Sequence, residues 1–339
     1  MSMTTAAVLG TGAWGTTFAQ VLADAGVDVT MWGRNTDTIS FINGRENPTY
    51  LPGITLSERI TATTDIAEAV AGKPLVVVAV PVKAVRATLE AARASFVPDV
   101  ALLSLAKGLE LGTLKRVDEI IADASGVPHS RIAVLSGPNL SREIAERQPT
   151  ATVVASTDVE LAKEIARTCH NSYFRPYVSA DVVGTEMAGA TKNVIAVAIG
   201  AAEGMGLGIN TRSTLITRGL AEMTRLGTAL GADPATFAGL SGIGDLVATC
   251  SSRLSRNFSL GHRLGSGMDL DEAMVLSPGV VEGVASARPI LQVAASVGVD
   301  MPITSAVVEV VEGRATIADM GRMLLARPQK MDGWKIELV

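Results

Sequence analysis

Residues 6–26 read AAVLGTGAWGTTFAQVLADAG, in which a glycine-rich turn separates a short apolar run from an amphipathic helical segment. The run Ala6 to Leu9 is typical of a buried strand. In the turn, Gly10 permits a tight bend, Gly12 lets a pyrophosphate approach the backbone, and Gly15 lets helix and strand pack closely. A lone GxGxxG can be a structural turn, but here strand, turn and helix follow in register. The stretch therefore predicts a dinucleotide site with the phosphates at the helix N-terminus.

Apolar runs with strand character recur through the first half of the chain and alternate with helical patterns. This alternation is typical of a parallel sheet whose crossover helices cover both faces. The run Leu75 to Val80 is apolar at every position, as expected for a strand buried on both sides. The other runs are Val27 to Trp32, Val100 to Leu105, Ile132 to Leu135, Ala151 to Ala155 and Tyr173 to Val178, the last two extending the sheet. We predict a Rossmann-type, doubly wound α/β domain over residues 1–180.

The composition changes at about Asp181, where β-rich runs give way to long segments rich in Ala, Gly, Met and Leu. Val183 to Glu203 and Thr211 to Leu230 have the spacing of helices. We therefore predict an all-helical domain over residues 181–339. The residues from Arg327 to Val339 are expected to form a tail.

Bulk properties exclude several classes of protein. A net charge of −5 gives no general attraction for phosphate backbones, so nucleic-acid binding is not expected. Met1 to Leu9 lacks the basic segment of an export signal, and charges such as Lys192 and Glu203 are expected to break the apolar stretches before the roughly 20 residues of a membrane span. Cys169 and Cys250 lack metal-ligand spacing and are expected to be core thiols. We expect a cytoplasmic protein without metal, membrane or nucleic-acid partners.

The end of the second predicted strand bears on the choice of dinucleotide. A carboxylate at that place usually holds the ribose 2′-hydroxyl of NAD. Here Val29 to Trp32 runs into Gly33, Arg34 and Asn35, so no carboxylate is expected there. Arg34 could form two hydrogen bonds with a 2′-phosphate, which favours NADPH or admits it beside NADH. The alternative is an arginine that is simply exposed after a strand.

Two lysines are the best candidates for acid/base chemistry. A nicotinamide enzyme needs a proton donor near the carbonyl oxygen that becomes an alkoxide. Lys192 lies in the apolar helical segment TEMAGATKNVI, where a buried lysine requires a reason. Lys107 follows a predicted strand, at the sheet edge where ligands bind in open α/β folds. Lys192 could instead extend to solvent, and Lys107 could be a solvated loop lysine.

Polar residues that could assist these lysines occur in the second half of the chain. Asp245 lies in the small, apolar segment GIGDLVATC, where it could orient Lys192 or accept a hydrogen bond from a substrate hydroxyl. The segment SSRLSRN at residues 251–257 offers guanidinium, amide and hydroxyl groups that suit a phosphate dianion. An ordinary charged loop is the alternative interpretation.

Nine blocks of sequence carry a more specific pattern. They are GTGAWGTTFA (10–19), AKGLE (106–110), SGPN (136–139), ATKNVIA (190–196), NTRSTLITRGLAEMTRLG (210–227), GLSGIGDLVATC (239–250), SRN (255–257), VVEG (280–283) and MPIT (301–304). Together, from Val8 to about Leu325, they resemble the bacterial NAD(P)-dependent glycerol-3-phosphate dehydrogenases. The resemblance implies reduction of glycerone phosphate to sn-glycerol 3-phosphate with NADPH or NADH, for phospholipid synthesis, by a homodimer. It also implies a 6-phosphogluconate-dehydrogenase-like pairing of the two domains.

The resemblance also implies roles for individual residues. Lys192 would be the acid/base residue, Lys107 would steady the carbonyl oxygen, and Asp245 would position lysine and substrate. The substrate contacts would be Lys107, Gly137, Asn139, Lys192, Asp245, Ser255, Arg256 and Asn257. The dinucleotide contacts would be Gly10, Gly12, Ala13, Trp14, Gly15, Arg34, Tyr50, Lys107, Ser141, Arg256, Val280 and Glu282. Many members have Phe-Ala where this chain has Leu140-Ser141, and the pair at Gly33-Arg34 varies within the family.

Two other functions fit parts of this pattern. A β-hydroxyacid dehydrogenase of the 6-phosphogluconate type also joins a Rossmann domain to a helical one that carries a catalytic lysine, but acts on a carboxylate. The AKGLE and SRN blocks favour the phosphorylated ketone instead. A regulator that binds NAD(P)H without turnover is the second alternative, and the presence of Lys192, Lys107 and Asp245 together argues against it.

Overall fold

An eight-stranded sheet dominates the first half of the computed structural model, which describes residues 3–277 and 279–325. The strands are β1 (Thr5–Leu9), β2 (Asp28–Trp32), β3 (Ile60–Thr63), β4 (Leu75–Val78), β5 (Ala101–Ser104), β6 (Ile132–Ser136), β7 (Thr150–Ser156) and β8 (Phe174–Ser179). Their order is β3-β2-β1-β4-β5-β6-β7-β8. The connections therefore run in opposite directions on either side of β1. The crevice outside the carboxyl ends of β1 and β4 is where such folds bind ligands.

Helices cover both faces of this sheet. They are α1 (Ala13–Asp24), α2 (Thr36–Asn43), α3 (Ile66–Val70), α4 (Val82–Ala92), α5 (Val117–Ser125), α6 (Ser141–Ala145) and α7 (Val159–Cys169). In β1, Ala6 and Val8 pack in the core beneath α1 and α7, whereas Ala7 and Leu9 pack in the core beneath α4 and α5. Because β1 contributes side chains to both cores, its residues from Ala6 to Leu9 are apolar at successive positions. The predicted doubly wound α/β fold is confirmed.

Two features of the sheet differ from the sequence prediction. The edge strand β3 was not predicted, because its four residues, ITAT, contain two threonines and form no apolar run. The parallel pattern also breaks at β7, which pairs antiparallel with β6, and β8 then runs parallel to β7. An apolar run has no direction that can be read from its composition, so the sequence could not show this reversal.

The second half of the described chain is helical, as predicted. It contains α8 (Val182–Gly204), α9 (Ile209–Ala229), α10 (Pro234–Phe237), α11 (Asp245–Cys250), α12 (Arg256–Gly265), α13 (Leu270–Val275), α14 (Glu282–Ser296), α15 (Pro302–Val311) and α16 (Ile317–Leu325). Because β8 ends at Ser179 and α8 begins at Val182, we propose the domain boundary between residues 180 and 181. The expected tail from Arg327 to Val339 lies outside the described residues.

The long helix α8 forms the centre of the helical domain. By length and composition it could cross a membrane, so the expectation that charges interrupt such stretches was wrong for this segment. However, 94% of the apolar 18-residue stretch within this helix is buried inside the protein, and burial of this kind is typical of a core helix. Its neighbours α9, α11, α12 and α14 supply the apolar residues that surround it.

Glycines bring the backbones of α8 and α12 into direct contact. A Cβ atom at Gly261 of α12 would lie 2.0 Å from the carbonyl oxygen of Val197, and one at Gly200 of α8 would lie 2.1 Å from that of Phe258. Gly204 and Gly265 repeat this arrangement one turn further along. The contact fixes the start of α12 beside the middle of α8, where Lys192 lies.

Candidate active site

The glycine-rich turn between β1 and α1 has the geometry of a phosphate cradle. Gly10 has φ +126°, and a Cβ there would lie 2.7 Å from the carbonyl oxygen of Ala79. A Cβ at Gly15 would lie 2.4 Å from the oxygen of Gly10, whereas one at Gly12 would meet no atom within 4 Å in the part of the chain that the structure describes. The space beside Gly12 is therefore open to a ligand. Gly12 precedes α1 without a side-chain cap, which leaves the first N–H groups of the helix for an anion.

Other predicted dinucleotide residues surround this turn. Ala13 and Trp14 begin α1, and the Trp14 ring packs edge-on against Phe18 with 5.7 Å between the ring centres. The indole Nε1 of Trp14 is buried and has no hydrogen-bond partner among the described residues. Ser141 begins α6, and its carbonyl oxygen accepts a hydrogen bond from the Thr17 hydroxyl at 3.2 Å. The donor on Trp14 and the free N–H groups of α1 fit a bound dinucleotide.

A cleft of about 390 Å³ opens at the carboxyl end of β2. Arg34 and Tyr50 both line it, as the dinucleotide assignment requires, together with Thr11 of the glycine-rich turn. Asp37, in the first turn of α2, lines the same cleft. The acid therefore does not come from the end of β2, where no carboxylate was expected, but from the helix that follows it. Gly33 occupies the usual position of the acid, directly after β2, and Asp37 of the next helix supplies a carboxylate to the cleft.

Lys107 and Lys192 share a single carboxylate. The Lys192 ammonium lies 2.7 Å from Oδ1 of Asp245, and the Lys107 ammonium lies 2.6 Å from Oδ2. Lys107 follows β5, Lys192 lies in the middle of α8 and Asp245 begins α11, so three separate elements meet here. The whole Lys192 residue is 7% exposed and the Lys107 side chain 14% exposed, which excludes both the solvent-extended and the solvated-loop alternatives. The cluster carries one net positive charge within the protein.

Each of the two lysines donates a further hydrogen bond to a nearby oxygen. Lys192 donates to the Thr249 hydroxyl at 2.5 Å, and Lys107 donates to the carbonyl oxygen of Gly137 at 3.3 Å. Burial lowers the pKa of Lys107 to about 8; nearby Asp245 opposes this change and Lys192 adds to it. A lysine with a pKa near neutrality can change its protonation state under working conditions.

The start of α12 could form a seat for an anion, and it is joined to α8 at Asn193, the residue after Lys192. Ser255 caps the helix, and its hydroxyl accepts a hydrogen bond from the Phe258 N–H at 3.3 Å. The first N–H groups of α12 have no acceptors within the helix, and Arg256 is exposed at this end. Asn257 connects three helices, because its amide donates to Asn193 at 2.9 Å and accepts from the Gly283 N–H at 2.8 Å. We therefore expect Asn257 to hold the seat in place.

The remaining predicted site residues are Asn139, Val280 and Glu282. Asn139 donates from its amide to Thr152 at 3.1 Å, while its Oδ1 is buried and has no partner in the described part of the chain. Glu282, at the start of α14, is close to Arg256 and to the N–H of Val82, although burial is the main influence and raises its pKa. Val280 is half-buried just before Glu282. These contacts place α14 against both Arg256 and the segment that follows β4.

Comparison with known proteins identifies the family. The sequence model described as the N-terminus of NAD-dependent glycerol-3-phosphate dehydrogenase matches residues 5–162, and that of its C-terminus matches residues 181–322. The chain belongs to the NAD-dependent glycerol-3-phosphate dehydrogenase family. A glycerol-3-phosphate dehydrogenase [NAD(P)+] from Streptomyces griseus is 53% identical over 329 residues, covering 96% of this chain and 98% of the relative. One from Thermobifida fusca is 52% identical over 335 residues, covering 97% and 99%.

A solved structure supports the family assignment. The crystal structure of glycerol-3-phosphate dehydrogenase from Coxiella burnetii matches with a TM-score of 0.91 and 33% sequence identity, and the match covers 96% of this chain and 99% of that one. The match therefore includes both the sheet domain and the helical domain of this chain.

Two residues of the dehydrogenase site were missed in the sequence. Thr249 lies four residues after Asp245, so helical spacing could have revealed that both face Lys192. Asn193 follows Lys192 directly and accepts the hydrogen bond from Asn257. Its involvement depends on the packing of α8 against α12, for which the sequence held no local signal.

Proposed function

We infer that the protein is an NAD(P)-dependent glycerol-3-phosphate dehydrogenase, which reduces glycerone phosphate to sn-glycerol 3-phosphate and catalyses the reverse oxidation. The observation that carries this function is the Lys107–Asp245–Lys192 cluster in a chain of this family, and the proposed anion seat at the start of α12 agrees with it. A reducible ketone requires a proton donor, and a phosphorylated one requires a cationic seat.

Each member of the lysine cluster has a distinct proposed task. Lys192 gives a proton to the carbonyl oxygen during reduction and takes it back during oxidation. Lys107 stabilises the negative charge that develops on that oxygen. Asp245 holds both ammonium groups, at 2.7 Å and 2.6 Å, so that they converge on one place. Thr249 restricts Lys192 further by accepting its second hydrogen bond.

The substrate phosphate is proposed to lie at the start of α12. Arg256 and the N-terminal N–H groups of the helix supply positive charge, and the Ser255 hydroxyl can donate to a phosphate oxygen. Gly137 and Asn139 border the site from the segment after β6 and complete the proposed substrate contacts. Asn257 is also one of the proposed substrate residues, because its hydrogen bonds hold α12 against α8 and α14.

The dinucleotide is proposed to extend from the glycine-rich turn towards the lysines. Gly10, Gly12 and Gly15 form the cradle, and the cleft beyond it holds the adenosine end. Bound NADPH or NADH supplies the hydride to the carbonyl carbon. The remaining proposed contacts are Ala13, Trp14, Arg34, Tyr50, Lys107, Ser141, Arg256, Val280 and Glu282.

We extend this proposal to the role of the protein in the cell. We propose a cytoplasmic homodimer that supplies sn-glycerol 3-phosphate for phospholipid synthesis and has neither a membrane nor a nucleic acid as partner. The family resemblance supports the dimer and the biosynthetic role, and the net charge of −5 supports the lack of affinity for nucleic acid.

The function is tested by following NADPH and NADH oxidation with glycerone phosphate as substrate. We expect rapid oxidation with glycerone phosphate, and no reduction of NAD(P)+ with the carboxylate substrate 3-hydroxyisobutyrate, because the seat at α12 is suited to a phosphate dianion. The formation of sn-glycerol 3-phosphate should match the dinucleotide consumed. Turnover of 3-hydroxyisobutyrate in place of glycerone phosphate would instead indicate a β-hydroxyacid dehydrogenase.

The pH dependence of the reduction should report on Lys107. Since burial lowers its pKa to about 8, this lysine loses its proton at a lower pH than a free lysine does. Only the charged form stabilises the developing alkoxide, so kcat/KM for glycerone phosphate should fall as the pH rises through about 8. The variant Lys107→Arg keeps its charge throughout this range and should lack that decline, whatever its absolute activity. The same decline in Lys107→Arg would show that another group titrates.

A further inference from the structure

Two opposite charges share the cleft at the carboxyl end of β2. Arg34 and Asp37 both line it, and both are exposed. In the part of the chain that the structure describes, neither side chain forms an ion pair or a hydrogen bond. The cap of α2 is Asn35, whose side chain accepts from the Thr38 N–H at 2.8 Å, so Asp37 is not required to begin the helix. Both charged groups are therefore available to a ligand.

The cleft adjoins the glycine-rich turn. Thr11 belongs to that turn and also lines the cleft. Gly33, at the end of β2, packs so closely on Thr11 that a Cβ there would lie 2.7 Å from its side chain. In this type of fold the ribose next to the pyrophosphate lies beyond the second strand. A dinucleotide held by the glycine-rich turn would therefore present its 2′ position to the cleft that Arg34 and Asp37 line.

The two cofactors differ in what they present at this position. NADH carries a 2′-hydroxyl, which can donate a hydrogen bond to a carboxylate. NADPH carries a 2′-phosphate, which pairs with a guanidinium and is repelled by a carboxylate. In many NAD-specific proteins the acid directly ends the second strand. Here Gly33 occupies that place, and the first turn of α2 brings in Asp37 four residues later.

We propose that Asp37 accepts the ribose 2′-hydroxyl of NADH and opposes NADPH, so that its balance with Arg34 sets the cofactor preference. This inference rests on the proposed use of NAD(P)H, but it does not depend on which ketone is reduced. Two side chains of opposite charge, Arg34 and Asp37, would then discriminate between NADH and NADPH within one cleft.

The test is the binding of each cofactor, measured by titration without any ketone present. Asp37→Asn should shift the ratio of the NADH and NADPH dissociation constants about tenfold in favour of NADPH, because it removes the repulsion while keeping the side-chain size. Arg34→Ala should shift the ratio in the opposite direction. The matched control is Glu160→Gln, which removes one negative charge from the first turn of α7, outside the cleft. Its ratio should equal that of the wild type.

The outcomes of these titrations and of the activity assay separate a failure of the role of Asp37 from a failure of the proposed function. A ratio within twofold of wild type for Asp37→Asn, or an equal shift in Glu160→Gln, would overturn the role of Asp37. If the ratio shifts as expected but the wild type fails to reduce glycerone phosphate, the role of Asp37 stands and the proposed substrate is wrong. Wild-type protein that binds neither cofactor would contradict both.

Discussion

Replacing Lys192 with alanine should lower kcat for glycerone phosphate at least about a thousandfold, because the reaction loses its proposed proton donor. The substitution also removes one of the two cations bound to Asp245, at 2.7 Å, and leaves that carboxylate with Lys107 alone. Since the glycine-rich turn is on another element, NADH binding should remain within about threefold of wild type. Steady-state kinetics and a cofactor titration on the same preparation measure both quantities.

A matched control separates this effect from a general loss of lysine. Lys163→Ala removes an exposed lysine of α7 that pairs with Glu160 on the surface, and it should leave kcat unchanged. Thermal unfolding of Lys192→Ala with and without NADH shows whether the protein remains folded. If folded Lys192→Ala keeps more than a tenth of the wild-type kcat, Lys192 is not the proton donor.

Replacing Gly261 with alanine should destabilise the helical domain by about 3 kcal/mol or more. The added Cβ would lie 2.0 Å from the carbonyl oxygen of Val197, and backbone atoms cannot rotate away as a flexible side chain could. The helices α8 and α12 must therefore separate, which moves Ser255 and Arg256 relative to Lys192. We expect a lower thermal midpoint and, in the folded fraction, a raised KM for glycerone phosphate.

Gly321→Ala is the appropriate control for that substitution. Gly321 is also helical, but a Cβ there meets no atom of the described residues within 4 Å. Alanine is favoured over glycine in helices by about 1 kcal/mol, so this variant should be as stable as wild type or more so. Equal stability of Gly261→Ala and wild type would mean that the two helix backbones are not in contact in solution.

The sequence predicted those parts of the site that depend on local spacing. The turn at residues 10–15 was predictable, because the spacing of its glycines follows from the close approaches that the structure shows at Gly10 and Gly15. The position of Lys107 was predictable in the same way, because the carboxyl end of a parallel strand meets its neighbours at one edge of the sheet.

The pairing of distant residues was not predictable from spacing. Asp245 is 138 residues from Lys107 and 53 residues from Lys192, and only the packing of the helical domain on the sheet brings them together. The sequence suggested that Asp245 orients Lys192, but not that both lysines share it. Asp37 was not predicted for a related reason, since it reaches the cleft only because α2 begins directly after β2 and places its first turn there.

The glycine contact between α8 and α12 has a consequence for the size of the substrate. With the proposed proton donor on one helix and the proposed phosphate seat on the other, a rigid backbone contact should fix the distance between them. Opening or closing of the two domains changes neither end of this span, because both ends belong to the helical domain. If the proposed roles hold, the helix pair should favour a ketone whose carbonyl is one carbon removed from a phosphate ester. We expect a ketone with a longer spacer between these groups to be a poorer substrate.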